Sequence, residues 1–187
     1  MRNETQELAA GESRLPPLPP PERLQELLFE TARLGRTDLI LALVQAGARV
    51  DAYNGKGHTS LILATYHGHH ETAEALLESG AAVDQTDCFR GNTALMGATF
   101  KGHLGTAEML LERGAQPDVP NFAGQTALMM ASLFGREDFV DLLISHGADI
   151  ELSDVAGNDA LSVAYQQGNA VMAHKLARLS TRGTRNA

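Results

Sequence analysis

Apolar residues recur along the chain with helical spacing, in short runs that glycines interrupt. In the stretch 57–84, Leu61 and Ala64 stand three residues apart and therefore fall on one face of a helix. After a glycine, a second apolar face follows and comprises Ala73, Leu76 and Leu77. An extended stretch then leads to the next run. The pattern predicts pairs of short helices joined by loops, and therefore an all-α fold.

Glycines mark an internal repeat, because three series of them keep the same phase over most of the chain. Each step within a series is 33 or 34 residues long. The first series is Gly35, Gly68, Gly102, Gly135 and Gly168; the second is Gly47, Gly80, Gly114 and Gly147; the third is Gly57, Gly91, Gly124 and Gly157. Such a period predicts one helix pair and a turn per unit, and a solenoid built by stacking the units.

The ends of the predicted helices carry their own signals. The hydroxyl of Thr59 can cap the first helix of its unit, and Asp159 can cap the corresponding helix of the last unit. Gly68 suits a left-handed helix end, which a residue without a Cβ adopts at little cost. Pro21 suits the first turn of the first helix.

Composition and charge exclude several classes of function. The chain has 187 residues, of which 43% are apolar and 20% charged, so it can bury the core of one domain. A net charge of -8 argues against binding to nucleic acids or anionic membranes. One cysteine, a charged N-terminus and no long apolar stretch favour a protein of the reducing cytoplasm without a membrane span.

These motifs make the chain resemble ankyrin repeat proteins, in particular small single-domain members from bacteria. The consensus G-x-T-P-L-H-x-A-A-x-x-G-H recurs without its proline, and the resemblance covers residues 23–179. The matching residues are Gly57, Thr59, Leu61, Ala64, Gly68 and His69, then Gly91, Thr93, Leu95, Ala98, Gly102 and His103, then Gly124, Thr126, Leu128, Ala131 and Gly135.

The resemblance implies an all-α ankyrin-repeat solenoid of about five helix-turn-helix units with hairpin-like finger loops. The first helices are expected on the concave side, and the two end units are expected to act as caps. The expected units are 21–53, 54–86, 87–120, 121–153 and 154–179, after a flexible Pro-rich arm at 1–20 and before a frayed tail at 180–187. The proline run at 15–21 predicts polyproline II, either as a stiff lead-in or as a docking ligand.

Ankyrin proteins bind partners through finger tips and the exposed ends of the first helices, and the resemblance transfers this surface position by position. The expected partner-binding residues are Tyr53, Lys56, His58, Tyr66, His67, Phe89, Arg90, Asn92, Phe100, Lys101, Phe122, Gln125, Leu133 and Phe134, with Arg33, Leu34, Val155 and Asn158 at the ends. Six of the nine aromatic residues belong to this set, beside cations, as in protein-binding hot spots. For Phe100 and Phe134, sideways packing between units is the alternative.

One finger is longer than the others. Eleven residues separate Gly80 from Gly91, where the other junctions have ten, so the finger at 85–90 carries an insertion. Either the insertion is neutral, as loops often tolerate, or it places Phe89 and Arg90 against a partner.

Other candidate sites have little support. The histidines at 67–70 lack acidic or thiol ligands at regular spacing, so no metal site is expected, and His69 and His103 match the family's structural histidine. Cys88 is expected on a finger tip without a catalytic partner. The segment NGKGHTS at 54–60 has the look of a phosphate loop, but its phase predicts a finger turn.

The sequence therefore predicts a non-enzymatic protein–protein interaction module, cytoplasmic and monomeric, with no cofactor. It would bind another protein through the concave face and fingers. The alternative is a dedicated accessory or inhibitory (immunity) subunit of one enzyme or effector. The resemblance suggests this alternative, because some small bacterial ankyrin proteins are associated with catalase or with effectors.

Overall fold

The computed structural model describes residues 18–183, which form ten α-helices and no β-strand. Most of the predicted N-terminal arm, at 1–17, and the end of the chain, at 184–187, lie outside this part. The helices form five pairs: α1 (Pro21–Leu34) with α2 (Thr37–Gln45), α3 (Ser60–His67) with α4 (His70–Glu78), α5 (Ala94–Lys101) with α6 (Leu104–Glu112), α7 (Ala127–Leu133) with α8 (Glu137–Ser145), and α9 (Ala160–Gln166) with α10 (Ala170–Gly183). This arrangement confirms the predicted all-α solenoid.

The predicted caps begin the first helices. The Thr59 hydroxyl accepts a hydrogen bond from the Ile62 backbone N–H at 3.2 Å, and threonines cap α5 and α7 in the same way. In the last unit, Asp159 forms a capping box with Ser162, whose N–H lies 2.7 Å from the carboxylate. Each cap satisfies a backbone N–H that the helix itself leaves free.

Glycines at the ends of the first helices allow neighbouring units to approach closely. Gly35 has a φ of 72°, and a Cβ there would lie 2.6 Å from the His69 ring of the next unit. That ring bonds the Arg33 carbonyl at 3.0 Å, which confirms the structural role predicted for His69. In the fourth unit an arginine replaces the histidine, and Arg136 donates to the Phe100 carbonyl at 2.9 Å.

The core lies between the layer of first helices and the layer of second helices. Its largest buried side chains include Leu28, Leu61, Leu95 and Leu128 from the first layer and Ile40, Leu76, Leu110, Leu143 and Leu176 from the second. First helices of adjacent units pack against one another more extensively than second helices do. The stack therefore curves toward the first helices, whose outer surface is the concave face.

A ladder of aspartates joins successive loops. The carboxylates of Asp51, Asp84 and Asp118 each accept a backbone N–H from the following unit, at 3.0 to 3.1 Å. Burial raises the pKa of Asp84 and Asp118, although the backbone N–H that each accepts counteracts part of the effect. Sequence reasoning missed this ladder, although the three aspartates share the glycine period.

The first unit closes the ladder with a glutamine. Its loop has no earlier unit to supply an aspartate, and Gln25 of α1 takes that place. The Gln25 amide accepts the Arg49 N–H at 2.9 Å and donates to the Arg49 carbonyl at 3.1 Å. The first unit therefore caps the end of the solenoid with its own helix.

The last helix, α10, continues to Gly183 and so includes the first four residues of the tail expected at 180–187. No long apolar helix that could cross a membrane occurs in the part of the chain described.

Candidate functional site

Three aromatic side chains form a row across the C-terminal ends of adjacent first helices. We call Tyr66, Phe100 and Phe134 the ring row. The rings of Tyr66 and Phe100 lie 6.1 Å apart and nearly parallel, and those of Phe100 and Phe134 meet edge to face at 5.0 Å. Their exposed fractions are 38%, 41% and 43%. The rings thus pack sideways between units, which is the alternative given above for Phe100 and Phe134. They still leave a large apolar area exposed.

The repeat explains the spacing of the ring row. Tyr66 and Phe100 each stand two residues before the glycine that ends their helix, on the unburied side. In the next unit this position holds Leu133, which is 38% exposed, and Phe134 follows as the C-cap of α7. Phe134 therefore extends the row by one position out of register.

A lysine and a histidine lie beside the ring row. The Lys101 ammonium lies 4.6 Å from the centre of the Tyr66 ring, a cation–π distance. The ring of His67 meets Tyr66 at 5.6 Å. Burial lowers the pKa of His67, and the positive charges of His69, Arg33 and Lys101 lower it further. His67 is therefore mostly neutral near pH 7, and Lys101 supplies a fixed charge.

The finger tips are shaped by Asn and Asp side chains that bond their own turns. The side-chain amide oxygen of Asn54 accepts the backbone N–H groups of Lys56 and His58 at 2.9 and 3.0 Å. Asn121 does the same for residues 123 and 125, and Asp154 for residues 156 and 158. Sequence reasoning missed this device, although the Asn and Asp positions follow the repeat period. It agrees with the prediction that 54–60 is a finger turn.

The inserted residue lies in the turn that follows Asp87. The Asp87 side chain is 5% exposed and accepts the N–H groups of Phe89, Arg90 and Asn92 at 2.6 to 2.9 Å. Burial opposes ionisation of this carboxyl, but the three N–H donors outweigh it and lower its pKa. The Gly91 N–H donates a hydrogen bond to the Asp87 backbone carbonyl and closes the turn. This turn is one residue longer than the corresponding turns of the other fingers. The longer turn holds Phe89 and Arg90 exposed.

Two phenylalanines on the fingers rest on glycines of the preceding finger. A Cβ at Gly57 would lie 2.7 Å from the Phe89 ring, and one at Gly91 would lie 2.6 Å from the Phe122 ring. Phe89 and Phe122 are nevertheless 70% and 67% exposed. One face of each ring is therefore supported by backbone while the rest is open to solvent. Supported, exposed rings lose little side-chain entropy when they bind.

The remaining finger residues are partly used in holding the fingers together. The Asn121 amide donates to the side-chain oxygens of Asn92 at 3.0 Å and Gln125 at 3.3 Å, and both acceptors are half-buried. The Tyr53 hydroxyl accepts a hydrogen bond from Gln85. Tyr53 is 42% exposed, so its ring is available although its hydroxyl is bonded.

The fingers and the helix ends belong to one surface. In the last unit, Gln166 stands at the position of Tyr66 and Phe100, and its amide donates to Asn158 of the finger at 2.7 Å. By the repeat, the same two positions in the second unit hold His58 and Tyr66. The finger and the end of the first helix of the last unit are therefore joined directly on this face.

The other candidate sites contribute little to this surface. Among residues 18–183, no three His, Cys, Asp or Glu side chains converge to hold a metal ion. Cys88 is exposed on its finger, as predicted. Its N–H donates to the Gly57 carbonyl at 3.1 Å, so it links two fingers.

Comparison with known proteins agrees with the repeat and the fold. The family model described as "Ankyrin repeats (3 copies)" matches residues 28–121 and 118–184. The chain therefore belongs to the ankyrin repeat family, whose members are typically non-enzymatic protein-interaction modules. It is similar to the ankyrin repeat domain-containing protein SAT10 of Stachybotrys chartarum, with 38% identity over 65 residues. The match covers 35% of this chain and 3% of that protein.

Proposed function

We propose that the chain binds a partner protein through its concave face and fingers and catalyses no reaction itself. The observation that carries this proposal is the ring row, whose packed rings keep about two-fifths of their surface exposed beside Lys101. Packed aromatic rings next to cations are the usual composition of binding hot spots. The exposed rings of Phe89 and Phe122 extend this surface onto the fingers.

The double variant Phe100→Ala with Phe134→Ala tests the proposal. Both side chains are partly exposed, so the variant is expected to keep its helicity. It should lose proteins that the immobilised wild-type chain retains from a lysate of the source organism, quantified by mass spectrometry. Each truncated hot-spot ring should weaken binding at least about tenfold.

A matched control removes exposed apolar groups elsewhere. Leu41 and Val171 are 59% and 64% exposed on second helices, on the side away from the concave face. The double variant Leu41→Ala with Val171→Ala should retain the same proteins as the wild-type chain. Equal capture by the folded Phe100→Ala, Phe134→Ala variant would refute binding through this surface.

The alternative is a dedicated accessory or inhibitory subunit of one enzyme or effector. The one-domain layout of the described residues supports it only by analogy. In the same pull-down, one stoichiometric enzyme whose activity changes on adding the chain would favour this alternative. Several unrelated captured proteins would favour an adaptor. Both proposals include a cytoplasmic, monomeric protein that does not bind nucleic acid. Light scattering coupled to gel filtration tests the monomeric state.

A further inference from the structure

The middle of α5 contains a glycine that the fold does not require. Gly97 lies inside the helix Ala94–Lys101, where glycine is among the least favourable residues. A Cβ built there would have one heavy atom within 4 Å, the Thr65 hydroxyl at 3.9 Å. No close approach and no left-handed backbone therefore explains this glycine. The Cβ of an alanine would fit there in ordinary van der Waals contact with the Thr65 hydroxyl.

The missing side chain leaves a gap on the concave face. The equivalent positions in the adjacent first helices hold Leu63 and Met130, both half-buried against the core. Helices α3 and α7 pack on either side of α5, so in the repeat these two positions stand on either side of Gly97, although neither side chain comes within 4 Å of a Cβ built there. Phe100 follows three residues later on the same helix face. We call this place the Gly97 gap; it lies next to the ring row.

The surface around the gap lacks negative charge although the chain carries a net charge of -8. No Asp or Glu occurs in the first helices of units two to five and the residues that end them, at 60–67, 94–101, 127–134 and 160–167, whereas α1 at the far end of the stack carries Glu22, Glu26 and Glu30. At the finger tips, Asp87 and Asp154 are occupied by N–H groups of their own turns. The exposed cations on this side include Lys56, Arg90 and Lys101. Charge complementarity therefore favours an acidic ligand.

We propose that the concave face binds an acidic segment of a partner protein, with one large apolar side chain of that segment filling the Gly97 gap. Its carboxylates lie near Lys101 and Arg90, and its apolar anchor packs between Leu63 and Met130 against Phe100. This inference rests on the proposed function and specifies the chemistry of the partner. It also explains why position 97 is a glycine, since a side chain there would occupy the space that the anchor fills.

A selection from a random-peptide phage library on the immobilised full chain tests the inference. Enriched peptides should be net acidic around a single Leu, Ile, Met or Phe. Synthetic labelled copies should bind in fluorescence anisotropy, and Gly97→Leu should weaken them at least about tenfold by excluding the anchor. Lys101→Glu should weaken them as well, and a peptide with acidic residues exchanged for lysine should regain affinity for that variant.

Two controls separate binding from folding. Gly105 of α6 is exposed on the second-helix side, and a Cβ there would meet nothing within 4 Å. Gly105→Leu should therefore leave peptide affinity unchanged. Gly97→Ala should raise the midpoint of thermal unfolding, since alanine favours the helix, and still reduce peptide affinity.

The outcomes distinguish this inference from the proposed function. In one outcome, the peptides lose affinity for the Phe100→Ala, Phe134→Ala variant, but they are neutral or basic, or they bind the Gly97→Leu variant as well as the wild-type chain. That outcome would refute the acidic segment with its apolar anchor, while binding through the ring row would stand. Peptides that bind this ring-row variant as well as the wild-type chain would overturn both.

Discussion

At the scale of single residues, Asp87 decides the shape of the finger that carries Phe89 and Arg90. Its two carboxylate oxygens accept three backbone N–H groups, whereas the Asn side chains of other fingers accept two with one oxygen. The extra donor comes with the extra residue of the turn. A carboxylate is therefore required at Asp87, where an amide suffices at Asn54.

We predict that Asp87→Asn lowers the free energy of unfolding by about 1 to 3 kcal/mol near neutral pH, because an amide N–H would face the Asn92 N–H. The folded-state pKa of Asp87 is lowered, so its ionised form stabilises the fold above the unfolded-state pKa of about 4. That contribution is lost as pH falls through the lower folded-state value. Denaturant unfolding at several pH values should show the two proteins converging in acid.

Asp154→Asn provides the control for this prediction. One oxygen of Asp154 accepts both turn N–H groups, which an asparagine can also do, as Asn54 and Asn121 show. Its second oxygen meets no backbone N–H and accepts only the Asn158 side-chain amide at 3.3 Å. The effect of Asp154→Asn should be the smaller of the two. An Asp87→Asn protein as stable as the wild type at neutral pH would contradict this account of the finger.

Residue-scale details were the least accessible from sequence. The ring row could be assigned because aromatic residues at surface positions of a known repeat stand out. The Gly97 gap could not be predicted in this way, because its openness depends on which atoms would surround a Cβ at that position. The seating of Phe89 on Gly57 likewise depends on contact between two fingers.

At the scale of elements, the glycine period and the threonine caps were sufficient to predict the helix pairs. Each signal acts within a few residues, so no knowledge of tertiary contacts was needed. The terminal units were harder, because they replace repeat contacts with individual ones. Gln25 substitutes for an aspartate of the ladder, and α10 continues to Gly183 where the repeats would end.

We predict that Gln25→Ala loosens the first unit locally and costs about 1 kcal/mol, the net value of hydrogen bonds of this kind. Stability in a solenoid is close to a sum over neighbouring units, so the effect should stay near the end. Hydrogen exchange should accelerate in α1 and α2 and stay unchanged in α7. Gln45→Ala, at the exposed end of α2, is the control.

Equal acceleration of exchange in every unit would contradict this local role for Gln25. It would mean that the solenoid unfolds as one block and that the capping contact is shared by all units. No change in α1 would show that its packing on α3, and not the glutamine, holds the first unit in place.

At the scale of the whole molecule, charge is distributed unevenly between the two faces. Second helices carry acidic residues such as Glu71, Glu108 and Asp141, while the first helices from α3 to α9 carry none. A chain with an acidic total thus presents a concave face of aromatic rings and cations. The net charge alone was enough to predict that the chain does not bind nucleic acid. Which face carries the acidic residues can be read only from the fold.

The central claim is that a partner protein covers the concave face. Carbene footprinting of the side chains, with and without a captured partner, tests it most directly. We predict that labelling of Tyr66, Phe100 and Phe134 falls in the complex while labelling of Leu41 and Val171 on the second helices stays constant. Unchanged labelling of the ring row, together with protection of the second helices, would contradict the account.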